Sequence, residues 1–211
     1  MKRRLRKKLC EYKLIILDMD GTLYYQAPLR LCMFIELMLY YAVHLRRIAE
    51  LLMIYRFRKS HESGVLGQGN SVIEYWMQER PLRYISRFRD KKLIFLIRRL
   101  REHGAKIAVY SDYPVQLKLT ALPDLTADCF FCAADSAIQC LKPDPAGLKN
   151  ILRITRETAE NSLFIGDRYE KDGKCAENAE VDYIILDNNS LFRNINLYKK
   201  ERFYAGNAKE K

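Results

Sequence analysis

No stretch of this sequence is long and apolar enough to read as a membrane-spanning helix. The most apolar segment, Leu31–Leu45, is interrupted by Glu36 and His44, and a span needs about 20 apolar residues. A buried or lid helix is expected there. A secretory signal is not expected either, because the apolar run Leu14–Leu17 enters Asp18 with no small-residue cleavage pattern. Histidine is scarce: His44, His61 and His103 are scattered, and none is a candidate for catalysis. His103 suits the carbonyl end of a helix, where an imidazole interacts well with the dipole. Six cysteines stand at Cys10, Cys32, Cys129, Cys132, Cys140 and Cys175, too few in a chain of this size to suggest a disulfide scaffold. They are read as reduced thiols, and the expected compartment is the cytoplasm. Cys129 and Cys132 with Cys140 lack a fourth zinc ligand, and residues three apart on a strand face opposite sides. No repeat and no low-complexity segment is present.

What is there is a soluble globular composition, 49% hydrophobic and 30% charged over 211 residues. Single domains run to about 100–200 residues, so one domain with a small insert is the natural reading. The net charge is +11, but Lys2, Arg3, Arg4, Arg6, Lys7 and Lys8 precede any strand. Residues 1–10 are read as a solvated basic tail. Such a run can meet nucleic acid or an anionic membrane, yet no nucleic-acid partner is expected on that signal.

Short runs rich in branched and aromatic residues recur at Leu14–Leu17, Lys106–Tyr110, Leu163–Ile165 and Tyr183–Leu186, with a weaker one at Cys129–Ala133. They suit buried parallel strands. Helical patterns lie between them, the clearest being Lys91–His103, with Asp90 as N-cap, Leu93, Ile94, Ile97 and Leu100 on one face, and Gly104 as its stop. The expected architecture is α/β, a three-layer Rossmann-like parallel sheet. Residues 26–85 hold no convincing strand. Helical periodicity runs from Leu29 to Tyr55, Gly64, Gly67 and Gly69 break it, and a second stretch follows around Val72–Gln78. A small helical cap is the simplest reading, with the core formed by 11–25 and 86–200.

Ligands bind beyond the carboxyl ends of strands in open parallel sheets, and there the sequence is polar. Asp18-Met19-Asp20-Gly21-Thr22 follows the first run, Ser111-Asp112 the second, and Gly166-Asp167 the third, with Asp172 five residues on. Asp18 and Asp20, two apart in extended chain, would share a pocket, an arrangement a divalent cation relieves. A third oxygen ligand from Asp167 suits Mg²⁺. Asp18 can attack phosphorus as a nucleophile, and Asp20 can protonate the leaving oxygen and later activate water. Ser111 offers a hydroxyl and Lys142 an ammonium, aimed by Pro143-Asp144-Pro145 ahead of a helix.

Taken in order, Asp18-x-Asp20-Gly21-Thr22, Ser111, Lys142 and Gly166-Asp167-x4-Asp172 resemble the four motifs of the haloacid dehalogenase superfamily. The resemblance implies a phosphatase-like member with a helical cap inserted after the first motif, acting on a small phosphorylated substrate with Mg²⁺ as cofactor. It implies Asp18 as nucleophile, Asp20 as general acid/base and, through its carbonyl, a metal ligand, and Asp167 as metal ligand. Asp172 would support the metal or orient Lys142, while Thr22, Ser111, Asp112 and Lys142 would border the phosphoryl group. By the same resemblance dehalogenases lack an acid at the position of Asp20 and ion-pumping ATPases carry Thr there, so a phosphatase or phosphomutase is expected. A non-catalytic binding protein of this fold is the alternative of another class. Asp112 stands where many relatives have Asn, and Glu180 where a Gly often closes a helix. Tyr24 and Tyr25 lead into the cap, where Arg30, Arg46, Arg47, Arg56, Arg58 and Lys59 are read as a solvated face.

Overall fold

In the computed structural model residues 2–62 and 71–186 are described, with side chains from 4–56 and 71–186. Fourteen elements carry the fold: β1 Lys2–Arg4, β2 Leu14–Leu17, α1 Gln26–Val43, α2 Ala49–Glu62, α3 Ser71–Glu74, α4 Leu82–Phe88, α5 Lys91–Glu102, β3 Lys106–Ser111, α6 Gln116–Thr120, β4 Cys129–Cys132, α7 Ala146–Thr155, β5 Ser162–Gly166, α8 Lys174–Asn178 and β6 Asp182–Ile185. The sheet has the order β1-β6-β5-β2-β3-β4. β2 to β6 are parallel and β1 is antiparallel to β6.

Alternation along the strands builds the layers. In β2, Ile15 and Leu17 join Ile107, Val109, Leu163 and Ile165 on one face, covered by Leu93, Ile94, Ile97 and Leu100 of α5. Leu14 and Ile16 join Ala108, Tyr110 and Phe164 on the other, covered by Leu148 and Ile151 of α7 and Cys175 and Ala176 of α8. A strand buried on both faces must be apolar throughout, and every residue of β2 is fully buried. α5 starts as read from sequence: the Asp90 side chain accepts from the Lys92 and Leu93 N–H groups, satisfying two donors that the first turn leaves orphaned.

The register decides where the site lies. Leu17 sits opposite Val109 and Ile165, so β2, β3 and β5 end together and their polar followers emerge side by side. Two stretches leading to and from the cap, around Tyr24 and Arg89, are tied by Tyr25 N–H to the Phe88 carbonyl at 2.8 Å and Asp90 N–H to the Leu23 carbonyl at 2.8 Å. Between them α1, α2, α3 and the turn after α3 enclose a small core of their own, Tyr41, Ile54 and Trp76. The helical periodicity read from Leu29 to Tyr55 is carried by two helices, because at His44 (φ −112°, ψ 56°) the chain leaves helical geometry. The stretch expected near Val72–Gln78 is α3 continued by a wider π-helical turn, Tyr75–Glu79. Gly64, Gly67 and Gly69 lie outside the described residues.

The basic N-terminal run departs from its expected solvated state. Lys2–Arg4 add a strand to the β6 edge, and just beyond them Arg6 binds Asp182, its backbone N–H at 2.7 Å and its Nε at 2.6 Å. The Tyr12 hydroxyl donates to the same carboxylate at 2.5 Å. Asp182 is fully buried, and a buried carboxylate needs such donors, which the N-terminal segment supplies. Burial pushes the Asp182 carboxyl up, but the Tyr12 and Arg6 hydrogen bonds outweigh it and hold it below the usual range. A carboxyl depressed in the folded state stabilises above its unfolded pKa of about 4 and loses that contribution as pH falls through the folded value. Asp182→Asn is therefore expected to be less stable than wild type at neutral pH by about 1–3 kcal/mol, with the gap closing below about pH 4, as read from urea unfolding across pH.

Candidate functional site

Asp18 leaves β2 with its N–H bonded to the Ile165 carbonyl at 2.8 Å, which seats it in the sheet's carboxyl edge between the ends of β3 and β5. Its side chain is buried, and the Thr22 hydroxyl, on the turn that Gly21 makes at φ 91°, donates to Oδ2 at 3.0 Å. Thr22, expected beside the phosphoryl group, is thus placed on the Asp18 carboxylate itself. Carboxylate oxygens of Asp18, Asp167 and Asp172 lie within 4.8 Å of one another, the one such cluster among the described residues.

Lys142 bridges two members of this acidic group. Its Nζ donates to Asp18 Oδ1 at 2.6 Å and Asp172 Oδ1 at 2.7 Å, over the Tyr110 and Phe164 rings at 5.3 and 5.5 Å. Asp172 accepts from the Asp167 and Arg168 N–H groups through its other oxygen, at 3.1 and 3.0 Å. It therefore fastens the loop after β5 to the lysine. Gly166 permits this approach: a Cβ there would lie 2.4 Å from Asp172 Cβ.

The charges respond to one another. Burial drives the Asp18 carboxyl well up; Lys142 pulls it back, while Asp172 and Asp167 add to the rise. Burial alone would lower Lys142, but Asp172, Asp18 and Asp112 hold it well above its ordinary value, so the ammonium stays charged. Asp172 is held low, since Lys142 and the loop N–H groups overcome its burial. Carboxylate oxygens from three residues within 4.8 Å of one another are a hard donor set of the kind that suits Mg²⁺.

Asp20 points elsewhere. Its oxygens both accept from Lys118 Nζ at 2.6 Å, and the Tyr24 hydroxyl donates to Oδ1. Burial would raise this carboxyl, but Lys118 and then Tyr24 bring it below the usual value. Asp112 turns its carboxylate to the Lys142 N–H at 3.1 Å and Lys171 Nζ at 3.3 Å, so the acid that stands in place of a frequent Asn is paired with Lys171 and braces the lysine-bearing segment. Ser111, buried at the end of β3, accepts from the Tyr113 N–H at 3.2 Å. Glu180 takes the left-handed conformation, φ 58°, which explains why a Gly is apt there.

Lys118 and Lys171 escape a reading of motifs alone. For Lys118 a signal exists: Val115, Lys118, Leu119 and Leu122 recur at helical spacing, and a lysine inside an apolar stripe is a buried lysine seeking a carboxylate. Two substitutions check this geometry. Gly166→Ala, by forcing Asp172 away, is expected to cost about 1–3 kcal/mol in urea unfolding and to weaken Mg²⁺ binding measured by calorimetry. Lys118→Met leaves Asp20 buried with Tyr24 alone and is expected to destabilise the fold by about 3–5 kcal/mol; Lys118→Met/Asp20→Asn should recover part of that loss.

The family model for haloacid dehalogenase-like hydrolases matches residues 12–180. No curated protein matches by sequence. Among solved structures, a haloacid dehalogenase-family phosphatase from Thermococcus onnurineus is similar at 19% identity and TM-score 0.67, covering 92% of this chain and 98% of that one. The 2-haloacid dehalogenase of Pseudomonas syringae shares 18% identity at TM-score 0.59, covering 82% and 86%. CbbY from Rhodobacter sphaeroides, solved with xylulose 1,5-bisphosphate, shares 18% at TM-score 0.58, covering 83% and 86%. At such identities the likeness is one of fold, a parallel sheet with flanking helices. With the family model spanning β2 to β5, the helices between them and the acidic cluster, this chain belongs to the haloacid dehalogenase-like hydrolases.

Proposed function

We propose that the protein is a Mg²⁺-dependent phosphomonoester hydrolase that cleaves a small phosphorylated metabolite through a phospho-aspartate on Asp18. In this reading residues 11–25 and 86–200 form the core, residues 26–85 close over it as a cap, and the free thiols suit the reducing cytoplasm. The observation that carries it is the ammonium of Lys142, fixed 2.6 Å from Asp18 and 2.7 Å from Asp172 with Asp167 beside them. An anionic phosphoryl group and a carboxylate nucleophile repel, and a fixed cation between them removes that barrier at no cost in reorganisation.

An Asp18 oxygen attacks phosphorus, the bond to the ester oxygen breaks, and that oxygen takes a proton from Asp20. Asp20 then removes a proton from water, the water oxygen attacks phosphorus, and inorganic phosphate leaves with Asp18 restored. Mg²⁺, held by Asp18, Asp167 and the Asp20 carbonyl with Asp172 behind, would neutralise charge on the phosphoryl oxygens. Thr22 keeps the Asp18 carboxylate oriented, and Ser111 stands within the strand-end edge that the phosphoryl group would meet. The ionised Asp20 beside Lys118 is ready for the second step; for the first it must carry a proton, so opening of the Lys118 pair belongs to the cycle.

Dehalogenation fits less well, because a halide leaves without a proton and the Asp20, Lys118 and Tyr24 assembly would have no task. The test is release of inorganic phosphate from a panel of sugar phosphates, phosphoglycolate and nucleotides, with and without Mg²⁺. Wild type is expected to hydrolyse at least one ester only with the metal, and Asp18→Asn to fall to background with its fold intact. Asp20→Asn should lose about 10²–10⁴-fold with poor leaving groups and far less with p-nitrophenyl phosphate. An isomeric phosphate ester in place of inorganic phosphate would assign a phosphomutase, and turnover by Asp18→Asn would end the proposal.

A further inference from the structure

α1 is apolar on both sides, yet only one side meets the protein. Leu29 and Tyr41 are buried, while Leu31, Phe34, Ile35, Met38, Leu39, Ala42 and Val43 all face solvent. Their spacing of three and four residues makes one continuous stripe from Leu31 to Val43 of the helix, a length of about 20 Å. Exposure is large, 58% at Phe34, 64% at Leu39 and 79% at Val43. Beyond the break at His44 the pattern resumes with exposed Leu45, Ile48, Leu52 and Tyr55, the two helices being bent by 113°. A helix that is hydrophobic all round belongs in a core or against lipid, and an exposed patch this continuous marks an interaction surface.

Charge identifies what covers it. From Gln26 to Arg56 the cations are Arg30, Arg46, Arg47 and Arg56, all exposed, and the acids are Glu36 and Glu50. Both acids are already engaged inside the protein, Glu36 by Arg80 and Arg83 and Glu50 by Arg47 and Tyr41. The surface presented is thus apolar with basic residues at its ends. The α1 stripe carries no hydrogen-bonding side chain, so it offers a protein partner little that fixes orientation, and a second copy would bring like charge against Arg46 and Arg56. A bilayer asks only for apolar side chains and, where its headgroups are anionic, for cations. No single helix is long and apolar enough to cross, which leaves the helices lying along the surface.

We propose that the α1–α2 ridge of the cap docks on an anionic lipid surface, with Leu31, Phe34, Ile35, Met38, Leu39 and Val43 entering the headgroup boundary and Arg46 and Arg56 meeting the lipid charge.

Flotation of the full chain with phosphatidylcholine vesicles, with and without phosphatidylglycerol, tests this. The wild type is expected to float with the anionic vesicles and less with the neutral ones. Leu31→Gln/Phe34→Gln/Leu39→Gln, all at exposed positions, should bind at least about tenfold more weakly with an unchanged circular dichroism spectrum and melting temperature. Arg46→Glu/Arg56→Glu should lose the preference for anionic lipid, and high salt should reduce wild-type binding in the same way. A wild type that stays unbound at every composition overturns the proposal, as does triple-variant binding equal to wild type. Sedimentation showing a dimer that the triple variant loses, without vesicle binding, would overturn it too and give the face to a second copy.

Discussion

The buried ammonium of Lys142 holds the strand-end cluster together. Without it, Asp18, Asp167 and Asp172 would be three carboxylates crowded into a space from which water is largely excluded, each raising the cost of ionising the next. With it, Asp172 remains charged enough to gather the Asp167 and Arg168 amides, which sets the loop after β5. The lysine is in turn positioned by Asp112 through its backbone N–H. A single residue therefore connects the ends of β2, β3 and β5 with the segment ahead of α7.

A second cation divides the labour. Lys118 comes from α6, on the far side of β3, and takes Asp20 out of the acidic cluster. Two carboxylates two residues apart thereby acquire different surroundings: Asp18 is pushed up by burial and by its acidic neighbours, Asp20 is brought down by an ammonium and a phenol. Separate environments for neighbouring carboxylates are how one site assigns separate acid and base roles.

Much of this was legible in the sequence, because the chemistry and the topology coincide. Leu14–Leu17 reads as a buried strand since all four of its residues must be apolar, and the polar residues that follow it mark the carboxyl edge where ligands bind. Asp90 as a cap and Gly104 as a stop are local signals, and the structure carries both. What the sequence concealed depends on pairings far apart along the chain. Lys118 and Asp20 are separated by 98 positions, Arg6 and Asp182 by 176, and nothing local announces that a basic terminal run will settle on a buried aspartate. The bend at His44 was hidden for the opposite reason: no glycine or proline marks it, and apolar periodicity does not register a change of axis.

On the proposed route phosphate passes through a covalent bond to Asp18. Reacting the enzyme with a hydrolysable ester, quenching in acid, reducing with borohydride and sequencing the peptides by mass spectrometry reads that bond directly, because an acyl phosphate is reduced to an alcohol. Homoserine at position 18, seen with Mg²⁺ and absent without ester, is the result predicted. Steady turnover with Asp18 unmodified in the quenched enzyme, or with the modification on another carboxylate, would contradict it.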